Sequence, residues 1–352
     1  MILAPARLDP CRVPRIWGVH SLQPFFPDAP GAAEPVGEVW LTGDACRFAN
    51  GPYAGQTLGE AWPRMPTEWT GTRIASTSAA HARIPLLAKF IFPADKLSVQ
   101  VHPDDAYAQE HEQAAGGVGK TEMWYVAKAS AGATIRVGLR SNVTRESFAR
   151  SIDAGTAEDC LQPIAVRAGD TIFIPAGTAH SIGPGVVLYE MQQHSDLTYR
   201  VFDYNRVGAD GKTRELHVKK AMDVLRFDAP ISTDARAGRV VPIALSGGPD
   251  AERLLLVACR YFAVERWEFA RPVTLETSPE RFELLTSLRG TGRIAVNHEF
   301  TYAPGQAWLV PAALGSYTLE PTEPTTLLRS YVPNLEALEQ ELAGDHAHTV
   351  RP

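Results

Sequence analysis

Two short stretches of the sequence place potential metal ligands on the faces of predicted β-strands. In residues 98–102, Ser-Val-Gln-Val-His, polar and apolar residues alternate, so Gln100 and His102 point to the same side of a strand. Residues 169–180 indicate a strand, a Pro/Gly turn and then His180, which is directed back across the sheet. Imidazoles from two strands of one barrel can hold a divalent cation. The sequence therefore predicts a metal site inside a small β-barrel.

A third motif adds a carboxylate and an amine to this set. Glu122 precedes the apolar run Met-Trp-Tyr-Val, where an unpaired buried carboxylate is costly, so it needs a metal or a lysine as partner. Lys120 lies two residues earlier and shares the face of Glu122 on a strand. An amide oxygen, two imidazoles and a carboxylate leave a divalent ion with about +1 formal charge, which makes it a Lewis acid. The spacing alone permits zinc, iron or manganese.

Short strands dominate the elements that must position these side chains. The chain contains 27 prolines and 28 glycines between runs rich in β-branched and aromatic residues, which is typical of a sandwich or barrel. A short helical insert is predicted near residues 144–161, where Phe148 and Ile152 are four apart and Gly155 follows as a stop. The predicted strands are residues 38–41, 86–92, 96–102, 122–127, 133–137, 170–174 and 186–192.

Two domains are expected, because 352 residues exceed what one hydrophobic core usually organises. Residues 229–241 lack periodicity and are rich in small, polar and proline residues, which predicts a linker. The first domain is then residues 1–228 and contains the metal site. The second is residues 242–352 and ends in a helix that Asn334 caps and Gly344 closes.

The second domain contains a degenerate copy of the histidine motif. The Gly-x5-Pro frame that starts at Gly169 recurs at Gly305, an offset of 136 residues. Where the first copy has Gly177 and His180, the second has Ala313 and Ser316. The second barrel is therefore expected to bind no metal.

Composition and charge restrict the partners. The net charge of −6 argues against a nucleic-acid or anionic-membrane partner, since both require a positive surface. The four cysteines are scattered without a Cys-x-x-Cys pair, and the sequence shows neither a signal peptide nor a long apolar segment. A cytoplasmic location and a small-molecule ligand are expected, whereas the sequence does not indicate the oligomeric state.

Together, the motifs resemble a known family. The pattern Gly-x5-Pro-x-Gly-x2-His that ends at His180 is similar to the second motif of the cupin superfamily. Residues 100–104, 119–124, 175–180 and 190–206 resemble, in the same order, the blocks of type I mannose-6-phosphate isomerases. The resemblance implies an all-β fold of two cupin (jelly-roll) barrels with a few short peripheral helices. It also implies an aldose-ketose isomerase that interconverts mannose 6-phosphate and fructose 6-phosphate by metal-assisted proton transfer between C1 and C2.

The resemblance further implies a cofactor and roles for individual residues. The cofactor is one zinc ion per chain, and the substrate is a small sugar phosphate. A guanidinium can meet a phosphate or an enediolate bidentately, which suits the two arginines that follow His180. The implied metal ligands are Gln100, His102, Glu122 and His180; the implied catalytic residues are Arg200, Lys120, Asp196 and Glu190; and the implied substrate contacts are Lys89, Ser98 and Arg206.

Two other functions remain open at this point. Two histidines and a carboxylate also form the facial triad of a non-haem iron oxygenase, although such an enzyme has no evident need for the basic residues near the site. A non-catalytic sugar-binding cupin would keep the ligands, but its acid and base groups would be dispensable.

Overall fold

The computed structural model describes residues 3–27, 31–75, 82–208, 211–227 and 237–349, and its strands form four antiparallel sheets. Two of the sheets face each other and enclose the predicted metal site. The seven-stranded sheet has the order β14 (Gly238–Val240), β10 (Thr171–Ile174), β7 (Glu122–Ala129), β12 (Val186–Gln193), β5 (Leu86–Ile91), β3 (Val36–Trp40) and β2 (Cys11–Val19). The five-stranded sheet has the order β13 (Tyr199–Phe202), β6 (Val99–Val101), β11 (His180–Ile182), β8 (Thr134–Leu139) and β9 (Leu161–Ala165).

The other two sheets consist of strands β15 to β24 together with β1 and β4, and we call them the second half; the first two sheets are the first half. The eight-stranded sheet has the order β15 (Ile243–Leu245), β16 (Ala251–Ala258), β17 (Ala263–Phe269), β24 (Thr325–Tyr331), β19 (Glu283–Arg289), β22 (Ala307–Val310), β1 (Ala6–Asp9) and β4 (Arg47–Phe48). The four-stranded sheet has the order β18 (Val273–Glu276), β23 (Ser316–Pro321), β20 (Gly292–Ala295) and β21 (Glu299–Tyr302). The prediction of an all-β fold is confirmed.

Three strands depart from the predicted domain limits, and one of them is β4, which lies in the eight-stranded sheet beside β1. Strand β1, near the N-terminus, pairs with β22 of the second half. Strand β14 lies inside the predicted linker but pairs with β10 of the first half. Residues 229–236 of the predicted linker lie outside the described residues. The division of the chain into two domains stays a prediction, and the pairing of β1 with β22 joins its two parts.

The central strands of the seven-stranded sheet are buried on both faces, because one face packs against the second half. In β7, Met123 and Tyr125 belong to the core shared by the two halves, whereas Trp124 and Val126 belong to the core of the first barrel. Burial of each large apolar side chain stabilises the fold by about 1.5–3 kcal/mol. Glu122 lies on the same inward face as Trp124, so this alternation points it into the barrel.

Helices lie around the sheets. The helix Arg145–Asp153 begins at a capping box, in which Thr144 Oγ1 accepts from Ser147 N at 3.2 Å and Ser147 Oγ accepts from Thr144 N at 2.8 Å. Its fully buried Phe148 packs on the outer face of the five-stranded sheet. Within the described residues, the other α-helices are Leu58–Ala61, Thr67–Thr70, Thr72–Ala75, Asp105–His111, Val218–Val224 and Leu335–Thr349, and the 3-10 helices are Trp62–Arg64, Gln113–Ala115 and Ala157–Cys160.

The last helix corrects one prediction. Asn334 caps it through Oδ1, which accepts from Ala337 N at 3.3 Å. Gly344 does not end it, because the helix continues to Thr349. An interior glycine costs a helix only about 1 kcal/mol relative to alanine, and no proline follows before residue 352. Among the described helices, none is both long and apolar enough to cross a membrane.

Candidate functional site

The predicted metal ligands converge between the two sheets of the first half. Glu122 begins β7, His180 begins β11, and His102 directly follows β6. One ligand atom from each of these three residues lies within 4.8 Å of the other two. Gln100 is the cross-strand partner of His180, which puts its amide beside the cluster.

A glycine turn fixes the two histidine strands relative to each other. Gly177 has φ +83°, a conformation that side chains with a Cβ rarely adopt. Its N–H donates to the carbonyl of His102 at 2.8 Å, and a Cβ added there would lie 2.9 Å from the carbonyl oxygen of Val224. The turn therefore holds His102, the residue after β6, close to the start of β11. It leaves no room for a side chain at Gly177.

Backbone carbonyls set the orientation of both imidazoles. Nδ1 of His102 lies 2.7 Å from the carbonyl of Leu197, and Nδ1 of His180 lies 3.0 Å from the carbonyl of Thr178. Each Nδ1 therefore donates its proton, which leaves an Nε2 lone pair aimed at the cluster. Burial lowers the pKa of His180 to about 4, and burial together with Lys120 lowers that of His102 well below its ordinary value. Both rings are thus held in the neutral form that metals require.

Glu122 faces these lone pairs. Its Oε1 lies 3.3 Å from Nε2 of His180, is buried, and has no hydrogen-bond donor among the described residues. Its Oε2 accepts from Nζ of Lys120 at 2.5 Å, and the same Nζ lies 3.1 Å from Nε2 of His102. The carboxylate oxygens of Glu122 and the Nε2 lone pairs of the two histidines face each other, so they need a cation between them. The Lys120 ammonium provides this for part of the cluster, and a divalent ion fits the whole donor set.

Gln100 completes the set of oxygen and nitrogen donors. Its Nε2 lies 3.1 Å from Nε2 of His180, and Ser98 Oγ donates to its Oε1 at 3.2 Å. A rotation of the amide by 180° exchanges its nitrogen and oxygen, which directs an acceptor toward the other ligands.

A cavity of about 470 Å³ adjoins the cluster. Gln100 and Lys120, which contact the cluster, also line this cavity. Five of its lining residues are cationic and three are anionic, so the wall is suited to an anionic ligand. The charged lining residues are Arg15, Glu38, Lys89, Lys120, Glu190, Asp196, Arg200 and Arg214, and Ser98 also lines the cavity.

Lys89 and Glu190 form the centre of this charged wall, and both are buried. Nζ of Lys89 lies 3.4 Å from Glu190 Oε1, 3.7 Å from Glu38 Oε2 and 3.7 Å from Asp196 Oδ1. Burial alone would lower the pKa of Lys89, but Glu38 and the other carboxylates raise it above its ordinary value. Burial and the nearby Glu122 raise the pKa of Glu190. Trp124 Nε1 donates to Glu190 Oε2 at 2.9 Å.

The two predicted arginines separate in the structure. Arg200 lines the cavity, and its Nη1 donates to the carbonyl of Glu215 at 2.9 Å. Arg206 does not line the cavity; its guanidinium pairs with Asp95 at 3.1 Å and with Asp203 at 2.5 Å. Of the predicted catalytic and substrate residues, Arg206 is therefore the one that the structure holds away from the cavity.

Sequence reasoning missed three charged lining residues: Arg15, Glu38 and Arg214. Glu38 had a usable signal, since it is a carboxylate within an otherwise apolar predicted strand. Arg15 is in the strand β2, where half-buried and exposed positions alternate from Cys11 to Ile16. Arg214 follows Arg206 in a polar stretch that gave no periodic signal.

The internal repeat extends to the pairing of strands. Glu122 pairs with Ile174, and Glu283 pairs with Val310, which follows Ile174 by the same 136 residues. Glu283 therefore occupies in the second barrel the position that Glu122 occupies in the first.

Further along the two sheets the charges are reversed. Glu190 pairs with Lys89 across β12 and β5, whereas Arg329 pairs with Glu265 across β24 and β17 at the equivalent register. Nε of Arg329 donates to Oε2 of Glu283 at 2.9 Å. In the second barrel a guanidinium thus neutralises the carboxylate that in the first barrel faces the histidines.

Two β-sandwiches related by an internal repeat, with a His/Glu/His cluster inside one of them, define a cupin fold. The family model of the mannose-6-phosphate isomerase cupin domain matches residues 252–332. The mannose-6-phosphate isomerase ManA of Bacillus subtilis (strain 168) is 33% identical over 326 residues, which cover 91% of this chain and 97% of that protein. The chain therefore belongs to the mannose-6-phosphate isomerase family, which confirms the resemblance and the cupin fold inferred from the sequence.

Solved structures agree with this assignment. The crystal structure of the mannose 6-phosphate isomerase from Bacillus subtilis superposes with a TM-score of 0.81 at 29% identity, covering 93% of this chain and 99% of that one. A zinc-bound mannose 6-phosphate isomerase superposes with a TM-score of 0.70 at 15% identity, covering 93% and 99% of the two chains, and shares the fold.

Proposed function

We propose that this chain interconverts mannose 6-phosphate and fructose 6-phosphate at the site in the first barrel. The observation that carries the proposal is the position of the His102, Glu122 and His180 cluster next to a cationic cavity of about 470 Å³. That volume is within the range of sites for small ligands, and its charge is suited to a sugar phosphate. Membership of the family supports the same reaction.

The proposed cofactor is one zinc ion per chain, held by Gln100, His102, Glu122 and His180. Support comes from the neutral imidazoles, from the buried Oε1 of Glu122 without a donor, and from the zinc-bound structure that shares the fold. A zinc ion bound at this site supplies Lewis acidity, which stabilises negative charge on the sugar oxygens as a proton leaves carbon.

Three groups are proposed to handle the proton that moves between C1 and C2: Lys120, Glu190 and Asp196. Nζ of Lys120 lies 3.9 Å from Glu190 Oε1, and both side chains are buried at the cavity wall. The side chain of Asp196 is 56% exposed, which places it where the cavity meets solvent. A raised pKa of Glu190 brings its titration closer to neutral pH, which favours its use as a general acid or base.

Lys89, Ser98 and Arg200 are proposed to position the sugar, since all three line the cavity. Arg200 has no carboxylate partner among the ion pairs of the described residues, so its charge is available to substrate. Arg206 is proposed to act indirectly, by holding the carboxylate of Asp203 in place. The cytoplasm is the proposed location, in keeping with four free cysteines.

Metal removal and replacement test the proposal. Chelator-treated protein should lose mannose 6-phosphate isomerase activity and regain it with one equivalent of zinc, measured by a coupled assay and by metal analysis. His180→Gln should lose both metal and activity, whereas the exposed His298→Gln in the second half should keep both. Metal-loaded protein that cannot isomerise mannose 6-phosphate would overturn the assignment.

A further inference from the structure

The side of the cavity that contains Arg200 has a second guanidinium beside it. The backbone of Arg200 exchanges hydrogen bonds with His217, whose N–H donates to the Arg200 carbonyl at 2.7 Å. Nη1 of Arg200 donates to the carbonyl of Glu215, the residue that directly follows Arg214. These contacts fix the segment that contains Arg214 along β13, and both arginines line the cavity.

Asp203 orients the Arg214 side chain. Its carboxylate, 5% exposed, accepts from Nε of Arg214 at 2.7 Å and also from Nη2. Among the described residues, no hydrogen bond uses Nη1 of Arg214. Two of the three nitrogens thus hold the guanidinium in place, while the third remains for a ligand in the cavity.

Positive charge is in excess at this place. Asp203 is shared between Arg214 and Arg206, and Arg206 has Asp95 as a second partner. Arg200 has no carboxylate partner among the described ion pairs, and its buried Nε has no hydrogen-bond acceptor there. Burial and the neighbouring Arg214 lower the pKa of Arg200. An anion between the two guanidiniums relieves this repulsion.

We propose that Arg214, together with Arg200, binds the phosphate group of the substrate, and that Arg206 only holds Asp203 in place. The inference rests on the proposed function, because it assigns the phosphate end of the same cavity. Arg214 is then a determinant of the preference for phosphorylated over free sugars.

Paired variants of the metal-loaded full chain test the inference. Arg214→Gln should weaken binding of inorganic phosphate, measured by calorimetry, at least tenfold, because a charge-assisted contact is lost. Its KM for mannose 6-phosphate should rise by a similar factor, with kcat within threefold of wild type. Arg206→Gln removes the other guanidinium from the same carboxylate but keeps both contacts of Arg214 with Asp203, so it should weaken phosphate binding less than Arg214→Gln does. Arg214→Lys, which keeps the charge, should fall between Arg214→Gln and wild type.

The outcomes separate this inference from the proposed function. Folded Arg214→Gln protein, by circular dichroism, that binds phosphate as wild type does would overturn the role of Arg214. Equal losses in Arg214→Gln and Arg206→Gln would overturn the distinction between them. A wild-type protein that binds phosphate through Arg214 but cannot isomerise mannose 6-phosphate would contradict the proposed function alone.

Discussion

The hydrogen bond from Trp124 to Glu190 gives a quantitative test of the proposed proton chemistry. The indole Nε1 donates to Glu190 Oε2 at 2.9 Å, and both side chains are buried. Replacement of Trp124 by phenylalanine removes this donor but keeps an aromatic ring in the barrel core. Because the bond stabilises the ionised carboxylate, the pKa of Glu190, already raised by burial and Glu122, should rise further.

The size of the shift follows from the strength of the bond. A hydrogen bond to a charged group contributes about 1.5–3 kcal/mol, and one pKa unit corresponds to about 1.4 kcal/mol. The pKa of Glu190 in Trp124→Phe should therefore rise by about one to two units. If the ionised form of Glu190 is the one that acts, activity is lost as the pH falls through this pKa. The acid limb of the kcat/KM profile should then move to higher pH by about one to two units.

A matched variant exists in the second barrel. Trp267 donates through Nε1 to Oε2 of the buried Glu265 at 2.8 Å, so Trp267→Phe loses the same kind of bond away from the site. Both variants should lower the free energy of unfolding, but only Trp124→Phe should shift the pH profile. An unshifted acid limb in active Trp124→Phe enzyme would refute a role for ionised Glu190 in the proton transfer, and an equal shift in Trp267→Phe would refute the local origin of the effect.

Two further predictions concern stability. Phe148→Ala should lower the free energy of unfolding by about 3–5 kcal/mol in urea, because the fully buried ring anchors the helix Arg145–Asp153 on the five-stranded sheet; loss of the bound metal from the folded variant would contradict its placement outside the site. Burial holds the pKa of His194 at about 4, below its ordinary 6.5, so the unfolded chain binds the proton first and stability is lost as the pH falls from about 6.5 to 4. His194→Gln should reduce this loss by up to about 3 kcal/mol in urea titrations at pH 7 and pH 4, and a reduction of the same size in the exposed His298→Gln would refute the assignment.

Local patterns predicted the central strands of the first barrel well. The apolar runs that start at Leu86, Glu122 and Val186 are strands, since each is buried on both faces and its alternation survives in the fold. The same alternation placed Lys120 and Glu122 side by side. The strand predicted over residues 96–102 is shorter, Val99–Val101; at its C-terminal end Pro103 has no N–H to continue the ladder.

Long-range pairing is what the sequence did not reveal. Nothing local to residues 6–9 indicates that they pair with β22, about 300 residues away. The arginines show the same limit at shorter range. Strand β13 ends at Phe202, and Tyr204 and Asn205 then turn the chain with φ of 56° and 54°. Because of this turn, Arg200 and Arg206 do not lie on one face of a strand, although they are an even number of residues apart. Arg214 lies beside the cavity instead of Arg206.

The reversed charges of the two barrels bear on how each half acquires its stability. In the second barrel Arg329 supplies the cation that Glu283 requires, so the neutralising charge is part of the polypeptide and is present as soon as the chain folds. In the first barrel Glu190 stands at the equivalent position, so the cation for Glu122 must come from Lys120 or from a bound ion. One cross-strand position thus distinguishes the two barrels. In the second barrel a guanidinium of the same sheet neutralises the buried carboxylate, whereas in the first barrel the carboxylate can take up an ion from solution, which chemistry at this site requires.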